Sequence, residues 1–125
     1  MFATKAQIKD LDRLQKRSDF LSIQGGGQKW ISKSLILQVA DNGDKGQRFG
    51  LTVSKKISKS AVVRNRIKRR LRAAARDVLP QKARQNADYV LIGRGDAATK
   101  PYTEIVNDLA WCVRKIGYQS ENKAE

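Results

Sequence analysis

The spacing of apolar residues predicts a long amphipathic helix in the middle of the chain. Between Ser60 and Leu79 the apolar side chains recur at intervals of three and four residues, which places them on one stripe of a helix. The members of that stripe are Val63, Ile67, Leu71, Ala74 and Val78. Ser58 or Ser60 can cap the start of the helix, and Pro80 is expected to end it near Leu79.

Alternation of apolar and polar residues predicts three strands, at 29–40, 47–54 and 88–94. The first two are joined by a turn at 41–46, which is rich in Asp, Asn and Gly. In the second strand one face is apolar and the other carries only small side chains, those of Gly50, Thr52 and Ser54. The third strand is apolar on both sides, as expected for a strand that is at least partly covered on both faces.

Two further helices are predicted near the ends of the chain. A short one follows Ser18 and Asp19, carries Phe20, Leu21 and Ile23, and stops at the three glycines 25–27. The last begins at Pro101, runs to Ile116 and ends at Gly117. Residues 1–12 and 118–125 are expected to be frayed tails. The order of elements predicts one α+β domain over residues 1–125, a small sandwich of helices against a short sheet.

The charge of the chain indicates what kind of partner it binds. The chain has 26 Lys and Arg against 12 Asp and Glu, a net charge of +14. Ten of the 22 residues from Lys55 to Arg76 are basic and none is acidic, so the helix lacks the usual internal ion pairs. Its face opposite the apolar stripe carries Asn65, Lys68, Arg69, Arg72 and Arg76. This density favours a surface that binds nucleic acid, and a solvated basic face is the alternative.

The residue types present disfavour several other classes of function. There is no histidine, and the single cysteine, Cys112, is expected to be a small buried hydrophobe. A nuclease assembled by long-range contacts from Asp41, Asp88 and Asp96 is an open alternative. The apolar runs are too short to span a membrane and the N-terminus has no apolar signal segment, so a cytoplasmic location is expected.

The combination of strands with a phosphate-binding helix favours RNA over DNA as the partner. Helix-turn-helix DNA readers are mostly helical, and Asn65 is the only amide on the basic face that could contact a base. Of the aromatic residues that could stack on RNA bases, Trp30, Phe49 and Tyr89 are expected to be mainly core. Phe20 is the best candidate for an exposed aromatic.

One segment resembles a known family. Ser54-Lys55-Lys56, followed by Ala-Val-Val-Arg-Asn-Arg-Ile-Lys-Arg-Arg-Leu-Arg at 61–72, is similar to the signature of the bacterial ribonuclease P protein component. In that family a strand ending in Lys-Lys precedes a helix that opens with Arg-Asn-Arg. The likeness covers roughly residues 13–116. It includes Arg13-Leu14, Asp19-Phe20, the strand at 49–53 and the late strand at 88–92.

The resemblance implies a fold and an activity. Family members form an α/β sandwich, like domain 2 of ribosomal protein S5, with a left-handed crossover around the basic helix. They pair with a catalytic RNA that removes the 5′ leader of precursor tRNA by Mg²⁺-dependent hydrolysis. The Mg²⁺ ions are held mainly by that RNA, so no catalytic residue and no metal ligand is expected in this chain. No membrane and no stable protein partner are implied.

The resemblance also implies site residues. By position, the RNA-contacting set would be Lys55, Lys56, Arg64, Asn65, Arg66, Lys68, Arg69 and Arg72. Phe20 would line a cleft for the single-stranded leader. Gln24 and Gln38 stand where some family members have further cleft aromatics, and the link at 57–60 lacks a common glycine. The alternative function is a ribosomal or architectural RNA-binding protein without a role in processing.

Overall fold

A computed structural model describes residues 12–13, 23 and 27–118 of the chain. Its strands are β1 (Asp12–Arg13), β2 (Gln28–Ile31), β3 (Leu35–Asp41), β4 (Arg48–Thr52) and β5 (Ala87–Gly93). The helices are α1 (Ala61–Lys82) and α2 (Tyr102–Ile116), with a short 3₁₀ turn at Gly95–Ala98 between β5 and α2. The predicted α+β sandwich is confirmed. Within the described ranges, no helix is long and apolar enough to cross a membrane.

The strands form one sheet in the order β1-β4-β5-β3-β2. β4 pairs in parallel with both β1 and β5, whereas β3 is antiparallel to β5 and to β2. Helix α1 therefore connects two adjacent parallel strands, β4 and β5, as a crossover. The left-handed sense of that crossover stays a prediction from the resemblance.

The predicted first strand, residues 29–40, is in fact two strands joined by a tight turn. The Ser32 hydroxyl donates to the carbonyl oxygen of Leu35 at 2.7 Å, and the Ser32 N–H reaches the same oxygen at 2.9 Å. This turn reverses the chain, so β2 folds back along β3 with Trp30 opposite Leu37. The prediction of one continuous strand was wrong because Ser-Lys-Ser fits both an alternating strand and a turn.

Both helices pack on the same face of the sheet. The core between them contains Leu37 and Leu91 from the sheet, Ile67 and Leu71 from α1, and Leu109 from α2. The predicted alternation is confirmed in β3, whose core-facing positions are the buried ones, whereas in β4 the outward-facing Gly50 is buried as well as the core-facing Phe49. Of the aromatics expected in the core, Phe49 and Tyr89 are fully buried, whereas Trp30 is 37% exposed.

The ends of helix α1 follow from its sequence with one correction. The Ser60 hydroxyl accepts from the N–H of Val63 at 3.3 Å, so Ser60 is the cap. The helix does not stop near Leu79 but continues through Pro80 to Lys82. Proline lacks an N–H and so removes one helical hydrogen bond, a small loss in a last turn. That turn is completed by the Ala83 N–H on the carbonyl oxygen of Leu79 at 3.1 Å.

Two predictions about the chain ends are corrected at single residues. Tyr118, expected to start a frayed tail, is buried, and its hydroxyl donates to the Asp41 carboxylate at 3.1 Å. Asp12, also placed in a tail, pairs with Arg48 in the parallel β1–β4 ladder. Gly117 ends α2 as predicted, with a φ of 89° that suits glycine. The rest of both predicted tails lies outside the described residues.

Candidate nucleic-acid interface

Helix α1 divides into an apolar face and a basic face, as its spacing predicts. Ile67, Leu71, Ala74 and Val78 of the predicted stripe are buried, and Val63 is half-buried. On the other side Asn65, Arg66, Arg69 and Arg76 are exposed, and Lys68 and Arg72 are half-buried. Lys55 and Lys56 are exposed in the turn that precedes the helix. We call the exposed and half-buried basic residues from Lys55 to Arg76 the α1 basic surface.

Most charges on the α1 basic surface have no partner among the residues that the structure describes. Over residues 27–118, Lys55, Lys56, Arg66, Lys68 and Arg69 form neither an ion pair nor a side-chain hydrogen bond. Like charges at this spacing on a helix repel one another. Binding of a polyanion relieves that repulsion, so this surface is suited to phosphate contacts.

Three other arginines of α1 differ from these residues in their contacts within the protein. The Arg64 guanidinium donates to the carbonyl oxygen of Ser58 at 2.8 Å, which ties the loop after Lys56 to the helix. Arg70 donates to the carbonyl oxygen of Lys100, at the start of the segment leading into α2. The Nε atom of Arg72 is buried without a hydrogen-bond partner. Within the predicted RNA-contacting set, Arg64 thus holds the loop before α1, whereas the lysines and arginines named above have no partner over residues 27–118.

A second candidate surface is the side of the sheet that faces away from α1 and α2, here called the open face. The strand register places Gln38, Val90 and Gly50 in one row across it, and Ile36, Ile92 and Thr52 in the next. As the sequence indicates, Gly50 has no side chain, and the side chain of Thr52 is small and exposed. The middle of the open face is therefore shallow and apolar.

The open face is partly covered by Ile23. Ile23 is buried against Val90, with Ala40 and Ile92 beside them. The third predicted strand is therefore covered on both faces, as expected. Close to this contact the amide oxygen of Gln38 is buried without a hydrogen-bond partner. Phe20 and Gln24, implied to line a leader cleft, lie outside the described residues.

The acidic residues do not form the nuclease site considered above. Asp88 accepts from Arg48 at 2.8 and 2.7 Å, and Asp41 accepts from Tyr118. Asp96 lies in the 3₁₀ turn after β5. Among residues 12–13, 23 and 27–118, no group of three His, Cys, Asp or Glu side chains could hold a metal ion.

Sequence reasoning missed two exposed tryptophans. Trp111 on α2 is 36% exposed and packs edge-on against Trp30 of β2, with ring centroids 5.8 Å apart. A signal existed for Trp111, since it lies outside the apolar stripe of its own helix, formed by Ile105, Leu109 and Cys112. The sequence held no such signal for Trp30, because the exposure of its side chain depends on the β2–β3 hairpin, which the strand pattern did not reveal.

Comparison with known proteins agrees with this architecture. The Ribonuclease P family model matches residues 8–117. The ribonuclease P protein component of Paramagnetospirillum magneticum is 43% identical over 112 residues, covering 86% of this chain and 84% of the relative. That of Ruegeria pomeroyi is 46% identical over 110 residues, covering 82% and 84%.

Solved structures show the same fold. The RNase P protein of Staphylococcus aureus superposes with a TM-score of 0.70 at 27% identity, covering 85% of this chain and 95% of that one. The RNase P protein from Thermotoga maritima superposes with a TM-score of 0.72 at 25% identity, covering 84% and 97%. The fold and these likenesses define a protein subunit of a ribonucleoprotein endoribonuclease that acts in tRNA processing. The chain belongs to the family of the bacterial ribonuclease P protein component, whose partner is the ribonuclease P RNA.

Proposed function

We propose that this chain binds the catalytic RNA of ribonuclease P through the α1 basic surface and the 5′ leader of precursor tRNA on the open face. In this role it promotes Mg²⁺-dependent endonucleolytic removal of the leader in the bacterial cytoplasm, which leaves the mature 5′ end. The observation that carries the proposal is the row of exposed cations, without ion-pair partners in the described part of the chain, on a helix whose opposite side is buried in the core.

Rigid placement of those cations supports a positioning role. Ile67 and Leu71 are fully buried and hold α1 against the sheet, and Arg64 fixes the loop that carries the two lysines. The backbone that carries the charges is therefore held in place before binding, so only the Lys and Arg side chains themselves have to be ordered on phosphate. Such contacts set affinity and orientation rather than sequence preference.

The open face and the α1 basic surface lie close together, which supports the binding of one RNA substrate across both. Thr52, at the end of β4, lies on the open face, and the exposed Ser54, Lys55 and Lys56 follow directly in the chain. A single strand on the open face would reach the α1 basic surface at this end of β4. Single-stranded RNA suits the uncovered part of the open face, around the half-buried Ile92 and the exposed Thr52, where unpaired bases can pack.

The chemical step is assigned to metal ions held by the RNA. Mg²⁺ in such a site activates a water and stabilises the leaving oxygen. The chain has no histidine and the described residues gather no metal-binding group. Its own residues would bind and orient the substrate, and no proton transfer is assigned to them.

Stimulation of cleavage tests the proposal. Purified protein is mixed with a bacterial ribonuclease P RNA and a precursor tRNA at low Mg²⁺, and 5′ cleavage is compared with that of RNA alone. We expect faster cleavage with the wild type and with Lys45→Gln, which removes an exposed cation from the β3–β4 turn. Arg69→Ala should stimulate less. No stimulation by the wild type would overturn the proposal, and tight binding to ribosomal subunits without stimulation would support the architectural alternative.

A further inference from the structure

A groove of about 820 Å³ lies beside α2 and is separate from both surfaces assigned above. Its walls come from the β2–β3 turn, the segment after β5 and the outer side of α2. The lining residues that matter here are Lys33, Lys82, Arg94, Lys100, Trp111 and Arg114. We call this the Trp111 groove.

Hydrogen bonds between its walls hold the Trp111 groove open in one shape. The Arg94 guanidinium donates to the carbonyl oxygen of Ser32 at 2.8 Å, and the Arg94 N–H to that of Ser34 at 3.1 Å. The Ser34 hydroxyl in turn donates to the Asp108 carboxylate of α2 at 2.7 Å. The turn, the β5 end and the helix are therefore linked, so a ligand would meet a preformed site.

The charge of the groove is strongly positive. Asp108 is the one acidic residue in its lining, and Lys100 lies 3.4 Å from that carboxylate, so its charge is already compensated. Lys33, Lys82, Arg94 and Arg114 form no ion pair within the described ranges. Four uncompensated cations around one groove fit a ligand that carries several negative charges.

An aromatic ring is exposed among these cations. Trp111 is 36% exposed, and the edge of Trp30 packs against it at an interplanar angle of 70°. This contact, together with the Lys115 ammonium 5.9 Å from the ring centroid, holds the indole in place while part of it faces the groove. A fixed aromatic surface beside cations matches the pattern that binds unpaired bases and their phosphates.

We propose that the Trp111 groove binds single-stranded RNA, with a base stacked on Trp111 and the flanking phosphates on Arg94 and Arg114. A duplex presents phosphates but keeps its bases stacked internally, so it would leave the ring unused. An acidic peptide would satisfy the cations but not the indole. The groove also adjoins the α1 basic surface, since Arg70 of α1 bonds the carbonyl oxygen of Lys100. An RNA could therefore engage both surfaces at once.

Intrinsic fluorescence provides a local test. The chain has two tryptophans: Trp111 lines the groove and Trp30 packs against it, so a base stacked on Trp111 quenches part of the tryptophan signal. The full chain is titrated with a ten-nucleotide oligoadenylate at moderate salt. We expect saturable quenching in the wild type and in Lys45→Gln, and at least a tenfold weaker apparent Kd in the double variant R94Q/R114Q.

A second measurement tests the contribution of the Trp111 ring to binding. Binding of the same oligonucleotide carrying a fluorescent label is followed by anisotropy for Trp111→Leu, whose folding is checked by circular dichroism. Loss of stacking should weaken binding about fivefold or more. Lys45→Gln should bind the labelled oligonucleotide as the wild type does, so a loss seen only in Trp111→Leu reports the ring.

Three results would overturn the proposal. One is the absence of quenching by the oligoadenylate. Another is quenching that R94Q/R114Q does not weaken. The third is equal quenching by an RNA duplex or by a ten-residue oligoglutamate, which would mean that the groove attracts any polyanion without using the indole.

Discussion

Gly93 of β5 lies directly beneath Ile67 of α1, at a distance that leaves no room for a side chain. A Cβ atom placed on Gly93 would lie 2.6 Å from the Cγ2 methyl of Ile67 and 2.9 Å from that of Val53. Ile67 is fully buried and β-branched, so its rotamer in a helix is nearly fixed and the methyl cannot swing away. The close approach of the basic helix to the sheet therefore depends on a glycine at this position.

Gly93→Ala should lower the free energy of unfolding by about 1–3 kcal/mol, because the added methyl overpacks the contact between β5 and α1. Urea denaturation followed by circular dichroism measures this. Gly95→Ala is the matched control, since a Cβ there meets nothing within 4 Å. It should change stability by no more than about 1 kcal/mol. Equal effects of the two substitutions would contradict the tight contact at Gly93.

Asp88→Asn should destabilise the fold by about 2–4 kcal/mol. The Asp88 carboxylate takes two hydrogen bonds from Arg48, at 2.8 and 2.7 Å, and its side chain is 7% exposed. An amide in its place presents an N–H₂ group where Arg48 and Asn42 donate, and its neutral oxygen accepts weaker hydrogen bonds than the carboxylate does. Thermal unfolding measures the loss. Asp44→Asn removes the same charge from an exposed turn and should be nearly neutral, so a similar loss there would indicate a general charge effect.

Arg69→Ala should weaken binding to the ribonuclease P RNA by about 1 kcal/mol and reduce the dependence of log K on log salt by about one unit. Arg69 is exposed and has no partner within residues 27–118, so phosphate is its expected contact. Filter binding over a range of salt concentrations measures both quantities, with Lys45→Gln as control. An unchanged slope for Arg69→Ala would show that this side chain does not contact phosphate.

Arg64→Ala should lower mainly the stability of the protein, unlike Arg69→Ala, which should lower RNA affinity. Its guanidinium is bonded to the carbonyl oxygen of Ser58, so removing it frees the loop before α1. We expect a loss of about 1 kcal/mol in stability and a smaller change in salt slope than for Arg69→Ala. Hydrogen exchange of the amides at 56–60 should also accelerate. If Arg64→Ala changed the salt slope as much as Arg69→Ala and left stability unchanged, Arg64 would be a phosphate contact and not a residue that holds the loop.

Cys112 should react slowly with alkylating reagents in the folded protein. Burial raises the pKa of its thiol to about 11, above the ordinary 9 of the unfolded chain. The folded state therefore keeps its proton at pH values where the unfolded state loses it. Stability should fall between about pH 9 and pH 11, by on the order of 2 kcal/mol. Cys112→Ala should show a shallower fall by urea denaturation, and identical pH profiles would contradict the raised pKa.

Much of the α1 basic surface could be predicted from residue order alone. The apolar stripe that buries Ile67 and Leu71 uses the helical period, and the charges opposite it must then be exposed. The position of this helix after Ser54-Lys55-Lys56 indicated the family before any coordinates. The strands near 48–52 and 87–93 and the glycine end of α2 followed from alternation and turn chemistry in the same way. These are local properties, since each depends on residues within a few turns or positions of one another.

Other features depend on contacts between distant segments. The Ser32 turn that splits β2 from β3, the Arg48–Asp88 pair and the burial of Tyr118 join residues whose side chains could equally be solvated. Only the packed structure could show that Arg64 is bonded to Ser58 while Arg69 has no partner over residues 27–118, or that Trp111 and Trp30 meet near Arg94. The sequence by itself determined a basic helix with one buried side and a family to which it belongs. The tertiary structure decided which charges have partners and which aromatics stay exposed, because both depend on distances between segments far apart in the chain.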